Sequence, residues 1–137
     1  MARILSIDFG LKRTGIAVTD PLKIIATGLT TMAPKEVIPF LKKYIIEEPV
    51  ERIIIGWPTN WDNSDTHATQ HVSRFIQELE KQFPAIPVEK VDERYTSKMA
   101  KDAMLEMGVK KKDRRNKALV DEIAATIMLQ DYLRSAG

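Results

Sequence analysis

Alternating apolar and polar positions open the chain and predict three β-strands in its first third. They cover Arg3–Asp8, Gly15–Asp20 and Lys23–Thr31, and the turn FGLKRT joins the first two. β-Branched residues within these runs are typical of strands. Since the connections are too short for a crossover helix, we expect the three strands to form an antiparallel meander.

Single strands and helices alternate in the next part of the chain. A helix is predicted in PKEVIPFLKKYIIEE, although its Pro39 weakens the first turn. The apolar run ERIIIGWP, which glycine and proline end, is typical of a buried parallel strand. Apolar positions from Ala68 to Phe83 mark one face of an amphipathic helix, and Val88–Asp92 is a further strand.

Two helices are predicted in the last third, one from Thr96 or Ser97 to Met107 and one from Asn116 to Ser135. All elements together predict one α/β domain over residues 1–137. Its central mixed sheet has five strands, three antiparallel ones followed by two parallel ones, with helices on both faces.

Composition narrows the possible classes of function. The 137 residues include no cysteine, which excludes disulfides and thiolate metal sites. No apolar run approaches the roughly 20 residues of a membrane span, and no signal peptide precedes the first strand. We therefore expect a cytoplasmic protein with no membrane partner. The net charge of +2 is compatible with nucleic-acid binding but is weak support for it.

Three acids stand where a sheet could bring them together. Asp8 ends the first strand, Glu93 follows Asp92 at the end of the last strand, and Asp121 lies on the final helix. Each has a structural explanation as well, respectively a turn acceptor, a solvated strand end and an acid favoured by the helix dipole. Asp121 also shares its helix face with Ala124, Ala125 and Met128, a stripe of small residues that would let the helix approach the sheet closely.

Three converging carboxylates would repel each other unless divalent cations neutralised them. Mg²⁺ binds a few carboxylates and keeps positions for water and phosphate, and a pair of such ions suits the attack of water on a phosphodiester. The sequence therefore predicts Asp8, Glu93 and Asp121 as catalytic residues and metal ligands, with two Mg²⁺ or Mn²⁺ ions. Adjacent strand residues point to opposite faces, so whether Asp92 or Glu93 is the second ligand stays open.

Two segments are candidates for nucleic-acid binding. In the loop after the fourth strand, Thr59 and Asn60 could donate to phosphate oxygens, and Trp57 and Trp61 could stack on bases. An ordinary capped loop explains them equally well. Six cations in eight residues precede the last helix and would form a phosphate clamp or a solvated loop: Lys110, Lys111, Lys112, Arg114, Arg115 and Lys117.

The motifs DFGLKRTGIAV, IIIGWP, DERYTS and VDEIAATIMLQDYL resemble, in order and spacing, those of the YqgF family, also called RuvX. The resemblance covers essentially the whole chain. It implies an RNase H-like fold related to the RuvC resolvases, with a metal site at Asp8, Glu93 and Asp121.

The resemblance also implies that three further cations, Lys12, Arg13 and Arg94, serve nucleic-acid binding. Gly56-Trp57-Pro58 replaces the family's Gly-Leu-Pro, and Trp61-Asp62-Asn63 replaces its Met-Asp-Gly. RuvC-type enzymes carry a fourth acid where this chain has Ala124. Metal binding would then depend on three acids.

Family members are assigned to pre-16S rRNA processing and to Holliday-junction resolution. The implied function is a metal-dependent nuclease for structured nucleic acid, with processing of the 5′ end of pre-16S rRNA preferred over junction cleavage. The implied partners are an rRNA precursor or branched DNA, and ribosomal particles, bound by a monomer or a homodimer.

Two other classes of function share parts of this pattern. A non-catalytic RNA- or ribosome-binding factor would retain the same acids for folding. A sugar-kinase-like ATPase would need a second lobe, for which 137 residues leave no room.

Overall fold

The computed structural model describes residues 2–57, 67–92 and 117–136. Five strands in these residues form one sheet in the order β3-β2-β1-β4-β5. The strands are β1 (Arg3–Asp8), β2 (Thr14–Thr19), β3 (Ala26–Met32), β4 (Val50–Trp57) and β5 (Val88–Asp92). β1 pairs antiparallel with β2, and β2 with β3, whereas β1 pairs parallel with β4, and β4 with β5. The predicted meander followed by two parallel strands is confirmed.

Three helices lie in the same residues: α1 (Pro34–Glu47), α2 (His67–Gln82) and α3 (Lys117–Ala136). α1 continues through Pro39, and none of the described helices is long and apolar enough to span a membrane. The predicted helix that ends at Met107 lies outside the described residues.

The two faces of the sheet are covered by different helices. Leu5 and Ile7 of β1 belong to a core cluster with residues of α1 and α2. Ile4, one position out of phase, packs with Ala125, Met128 and other residues of α3. This alternation follows from the two-residue period of a strand, and it assigns the even-numbered positions of β1 to the α3 face.

The strand β3 begins at Ala26, three residues later than the alternation predicts. The Asp20 carboxylate accepts hydrogen bonds from the backbone N–H groups of Ile24 and Ile25, at 2.8 Å each. Lys23 adopts a left-handed conformation with φ of 60°. The backbone hydrogen bonds, that of Ile25 foremost, lower the pKa of Asp20. A side-chain-stabilised turn therefore replaces the first residues of the predicted strand.

Candidate active site

Asp8 ends β1 on the face that α3 covers. Two residues earlier, the buried Ser6 hydroxyl donates to the carbonyl oxygen of Ala125 in α3, at 3.0 Å. Because side chains two positions apart share a face, Asp8 follows Ser6 toward α3. Asp8 is half-buried, and it takes part in at least one hydrogen bond or electrostatic interaction.

Gly15 links Asp8 to Asp121. In the β1–β2 pairing, Gly15 lies directly opposite Asp8. A Cβ atom on Gly15 would stand 2.2 Å from the backbone oxygen of Asp121, so the helix backbone rests on this glycine. Asp8 and Asp121 are thus both neighbours of Gly15 at one end of the sheet. The structure brings together two of the three acids that the sequence predicts as metal ligands.

The stripe of small residues on α3 explains this close approach. Ala124 and Ala125 are completely buried, and Met128 is nearly so. Short side chains let a helix backbone approach a sheet more closely than leucine or isoleucine would. Ala125 and Met128 pack in one cluster with Ile4 of the sheet, and the Asp121 backbone lies against Gly15.

Arg13 forms an ion pair with Asp121. Its Nε lies 3.0 Å from Oδ2 of Asp121, and the two side chains are 36% and 25% exposed. The neighbouring Lys12 is exposed, and no partner for it lies among the described residues. Of the two cations in this turn, one therefore neutralises a candidate metal ligand and the other faces solvent.

The turn that carries Arg13 is tight. A Cβ on Gly10 would lie 2.3 Å from the Arg13 carbonyl oxygen. The completely buried Thr14 hydroxyl stands 3.4 Å from the Gly10 carbonyl oxygen and 3.5 Å from its nitrogen. The sequence reasoning missed Thr14; a hydroxyl placed between turn and strand was the available signal, since Thr commonly bonds to nearby backbone.

Trp57 lies on the opposite face of the sheet from Asp8. It packs against the core that α1 and α2 cover, and the Lys90 ammonium stands 4.2 Å from its ring centroid. An open groove of about 390 Å³ beside it is lined by Trp57, Thr69, Gln70, Ser73, Arg74 and Gln77. Base stacking on Trp57 would therefore occur away from the face that holds the two acids.

Several predicted site residues lie outside the described residues. They are Glu93, Arg94, Thr59, Asn60, Trp61, Lys110, Lys111, Lys112, Arg114 and Arg115; Lys117 begins α3, but its side chain is also outside. Within residues 2–57, 67–92 and 117–136, no three acids or histidines are grouped so that they could hold a metal ion. The metal site and the basic clamp stay predictions.

Comparison with known proteins assigns the chain to a family. The model of the family "RuvX: Holliday junction resolvase" matches residues 2–135. A protein of Phocaeicola vulgatus is 56% identical over 135 residues, which are 98% of this chain and 97% of the relative. A protein of Christiangramia forsetii is 54% identical over 133 residues, or 97% of this chain and 98% of the relative. Both carry the name "Putative pre-16S rRNA nuclease".

Solved structures support the fold. RuvC of T. thermophilus in complex with a Holliday junction substrate superimposes with a TM-score of 0.55 at 17% identity, covering 99% of this chain and 96% of RuvC. The yeast mitochondrial Holliday junction resolvase Ydc2 gives a TM-score of 0.54 at 10% identity, covering 97% of this chain and 78% of Ydc2. The sheet order and these neighbours establish the RNase H-like fold. With a family model matched over residues 2–135 and relatives that share more than half of its residues, this chain belongs to the RuvX family.

Proposed function

We propose that this chain is a divalent-metal-dependent nuclease that hydrolyses phosphodiester bonds in structured nucleic acid. One structural observation carries the proposal: Asp8 and the backbone of Asp121, distant in sequence, are both neighbours of Gly15 at one end of the sheet. Arg13, in the turn between β1 and β2, forms an ion pair with Asp121. Membership of the RuvX family points to the same activity.

The donor chemistry of this end of the sheet fits a hard divalent cation. Asp8 and Asp121 offer carboxylate oxygens, the ligands that Mg²⁺ and Mn²⁺ prefer. Glu93 is the proposed third ligand. Val91, two positions before Glu93 in the sequence, packs on the α3 face, which is also the face of Asp8. Such a cation, when bound, supplies charge neutralisation at the phosphate and activation of water.

The residues of the chain have separate tasks in this proposal. Asp8, Glu93 and Asp121 would hold the divalent ions through their carboxylate oxygens. Lys12, Arg13 and Arg94 hold the substrate phosphates near the scissile bond. Thr59, Asn60 and the basic segment from Lys110 to Lys117 bind the more distant backbone, so binding should weaken steeply with salt.

The preferred substrate is the 5′ end of pre-16S rRNA, in a precursor or in a ribosomal particle. The names of relatives that are more than 50% identical over nearly the whole chain support this choice. Holliday junctions are the second candidate, supported by the family's description as Holliday junction resolvases. Symmetric cleavage of a junction needs two active sites and therefore a homodimer, whereas trimming an RNA end needs one.

Cleavage assays with both substrates test the proposal. Purified protein is incubated with an end-labelled pre-16S leader RNA or a four-way DNA junction, with Mg²⁺, Mn²⁺ or EDTA. We expect metal-dependent cleavage of the RNA, and a loss of about 10²-fold or more in rate for Asp8→Asn and Asp121→Asn, since each removes a charged ligand.

Asp131→Asn is the matched control. It removes the same charge from an exposed position of α3 and should cleave like the wild type. Junction cleavage without RNA cleavage would replace the preferred substrate with the second one. Tight RNA binding without metal-dependent cleavage of either substrate would contradict the nuclease and favour a non-catalytic RNA-binding factor.

A further inference from the structure

The Arg13–Asp121 ion pair occupies a carboxylate that metal binding would need. We propose that Arg13 is a displaceable counter-ion: it holds Asp121 in the metal-free protein, and is released toward a substrate phosphate when a divalent cation takes that carboxylate. This inference rests on the proposed function, because it assumes that Asp121 is a metal ligand. It adds a coupling between metal binding and substrate binding through a single side chain.

The geometry of the pair supports an exchange of partners. Arg13 Nε and Asp121 Oδ2 are 3.0 Å apart, which is a formed, charge-assisted hydrogen bond. Both side chains are partly exposed, at 36% and 25%, so a cation from solvent can reach the carboxylate and the guanidinium can leave it. Exposed ion pairs contribute little stability, so separating the partners costs little.

Electrostatics explains why a cation is needed there before metal binds. Asp8 is paired with Gly15 and the Asp121 backbone lies against Gly15, so two negative charges are placed at one end of the sheet, where like charges repel each other. Among the described residues, Arg13 is the cation paired with Asp121. A metal ion would neutralise both carboxylates directly, which removes the reason for Arg13 to stay.

The turn selects Arg13 instead of Lys12 for this role. Arg13 immediately precedes the completely buried Thr14. The Arg13 carbonyl oxygen is packed against Gly10. The backbone therefore holds Arg13 in place, while its side chain stays partly exposed. The guanidinium fork matches a carboxylate and a phosphate equally well, so the released side chain suits a phosphodiester.

Measuring the affinity for Mn²⁺ in the absence of substrate tests whether a metal ion displaces Arg13 from Asp121. Mn²⁺ alone is titrated calorimetrically into the wild type, Arg13→Gln and Lys12→Gln. Removing the competing guanidinium should tighten Mn²⁺ binding about fivefold in Arg13→Gln. Lys12→Gln removes an equal charge from the same turn without freeing Asp121, and should change the affinity less than about twofold. The Mn²⁺ affinity of Arg13→Lys should be closer to that of the wild type than the affinity of Arg13→Gln is, because lysine keeps the positive charge.

A second readout follows the released side chain. Fluorescence anisotropy measures binding of a labelled 2′-O-methyl RNA hairpin, which is resistant to cleavage, with and without Mn²⁺. We expect Mn²⁺ to strengthen RNA binding more in the wild type than in Arg13→Gln, since coupling between two ligands is reciprocal. Circular dichroism establishes that each variant is folded.

The outcomes separate this inference from the proposed function. Equal Mn²⁺ affinity in Arg13→Gln and Lys12→Gln, or weaker binding in Arg13→Gln, would overturn the exchange while leaving the metal site intact. An undiminished effect of Mn²⁺ on RNA binding in Arg13→Gln would overturn it as well. No Mn²⁺ uptake by the wild type, or uptake unaffected by Asp121→Asn, would overturn the exchange together with the metal site.

Discussion

Replacing Gly15 by alanine tests whether close contact between β2 and α3 builds the candidate site. The added Cβ would stand 2.2 Å from the Asp121 carbonyl oxygen and 2.5 Å from its carbonyl carbon. Both atoms are backbone and cannot rotate away, so the helix or the strand must move. Gly15 does not have a positive φ, and the cost of the substitution is therefore steric alone.

The magnitude follows from the required displacement. Ordinary contact begins near 3.4 Å, so the helix end must retreat by about 1.2 Å from its distance of 2.2 Å if it alone moves. Overpacking of this kind costs about 1–3 kcal/mol, whereas replacing a strand glycine by alanine returns about 0.5–1 kcal/mol through lower chain entropy. We expect a net loss in the free energy of unfolding of about 0–2.5 kcal/mol.

Gly28→Ala is the matched control. Gly28 also faces α3, but its Cβ would meet the Glu122 side chain, at 2.5 Å from Oε1 and 2.8 Å from Cγ. A glutamate side chain can rotate away, unlike backbone, and the entropy gain of about 0.5–1 kcal/mol offsets the cost of moving it, so Gly28→Ala should be close to neutral. Urea unfolding followed by circular dichroism measures both changes. A shift of about 1 Å in a catalytic group costs about 10²-fold in rate, so cleavage should also fall in Gly15→Ala.

The comparison of the two glycines can refute the reasoning. If Gly15→Ala unfolds at the same urea concentration as Gly28→Ala and cleaves as fast as the wild type, the helix does not rest on Gly15. The closeness of Asp8 and Asp121 would then need another explanation.

Two further substitutions test the fold, one at the contact between β1 and α3 and one in the turn before β3. Ser6→Ala removes the hydroxyl that donates to Ala125 at 3.0 Å, and should lower the free energy of unfolding by about 1 kcal/mol in urea titrations; an unchanged midpoint would contradict a role in docking α3. Asp20→Asn tests the pH dependence of stability. Backbone hydrogen bonds, that of Ile25 foremost, lower the pKa of Asp20 in the folded state. The stabilisation by the Asp20 carboxylate is therefore fully present above the ordinary aspartate pKa of about 4, and it is lost as the pH falls through the lowered pKa. The difference in urea midpoint between wild type and Asp20→Asn should therefore narrow from pH 6 toward pH 2.5, and a constant difference would contradict this sign.

The periodicity of apolar residues predicted strands and helices well where neighbouring residues in the sequence decide the structure. The pattern of apolar residues placed β1 at the residues where it is found, Arg3–Asp8, a strand whose four central positions are buried. The start of β3 was predicted too early, since the side-chain hydrogen bonds of Asp20 and the left-handed Lys23 favour a turn. The periodicity of apolar residues does not reveal side-chain hydrogen bonds of this kind, which compete with strand formation.

By itself, the sequence determined the α/β class, the order of the elements and the identity of the candidate acids, because these depend on short-range periodicity and on residue type. It also showed that Asp121 stands on a stripe of small residues. Only the tertiary structure decided that the helix backbone at Asp121 rests on Gly15 opposite Asp8, and that Arg13 pairs with Asp121. Those contacts join β1, β2 and α3 across most of the chain, and only the packing of the helix on the sheet brings such distant residues together.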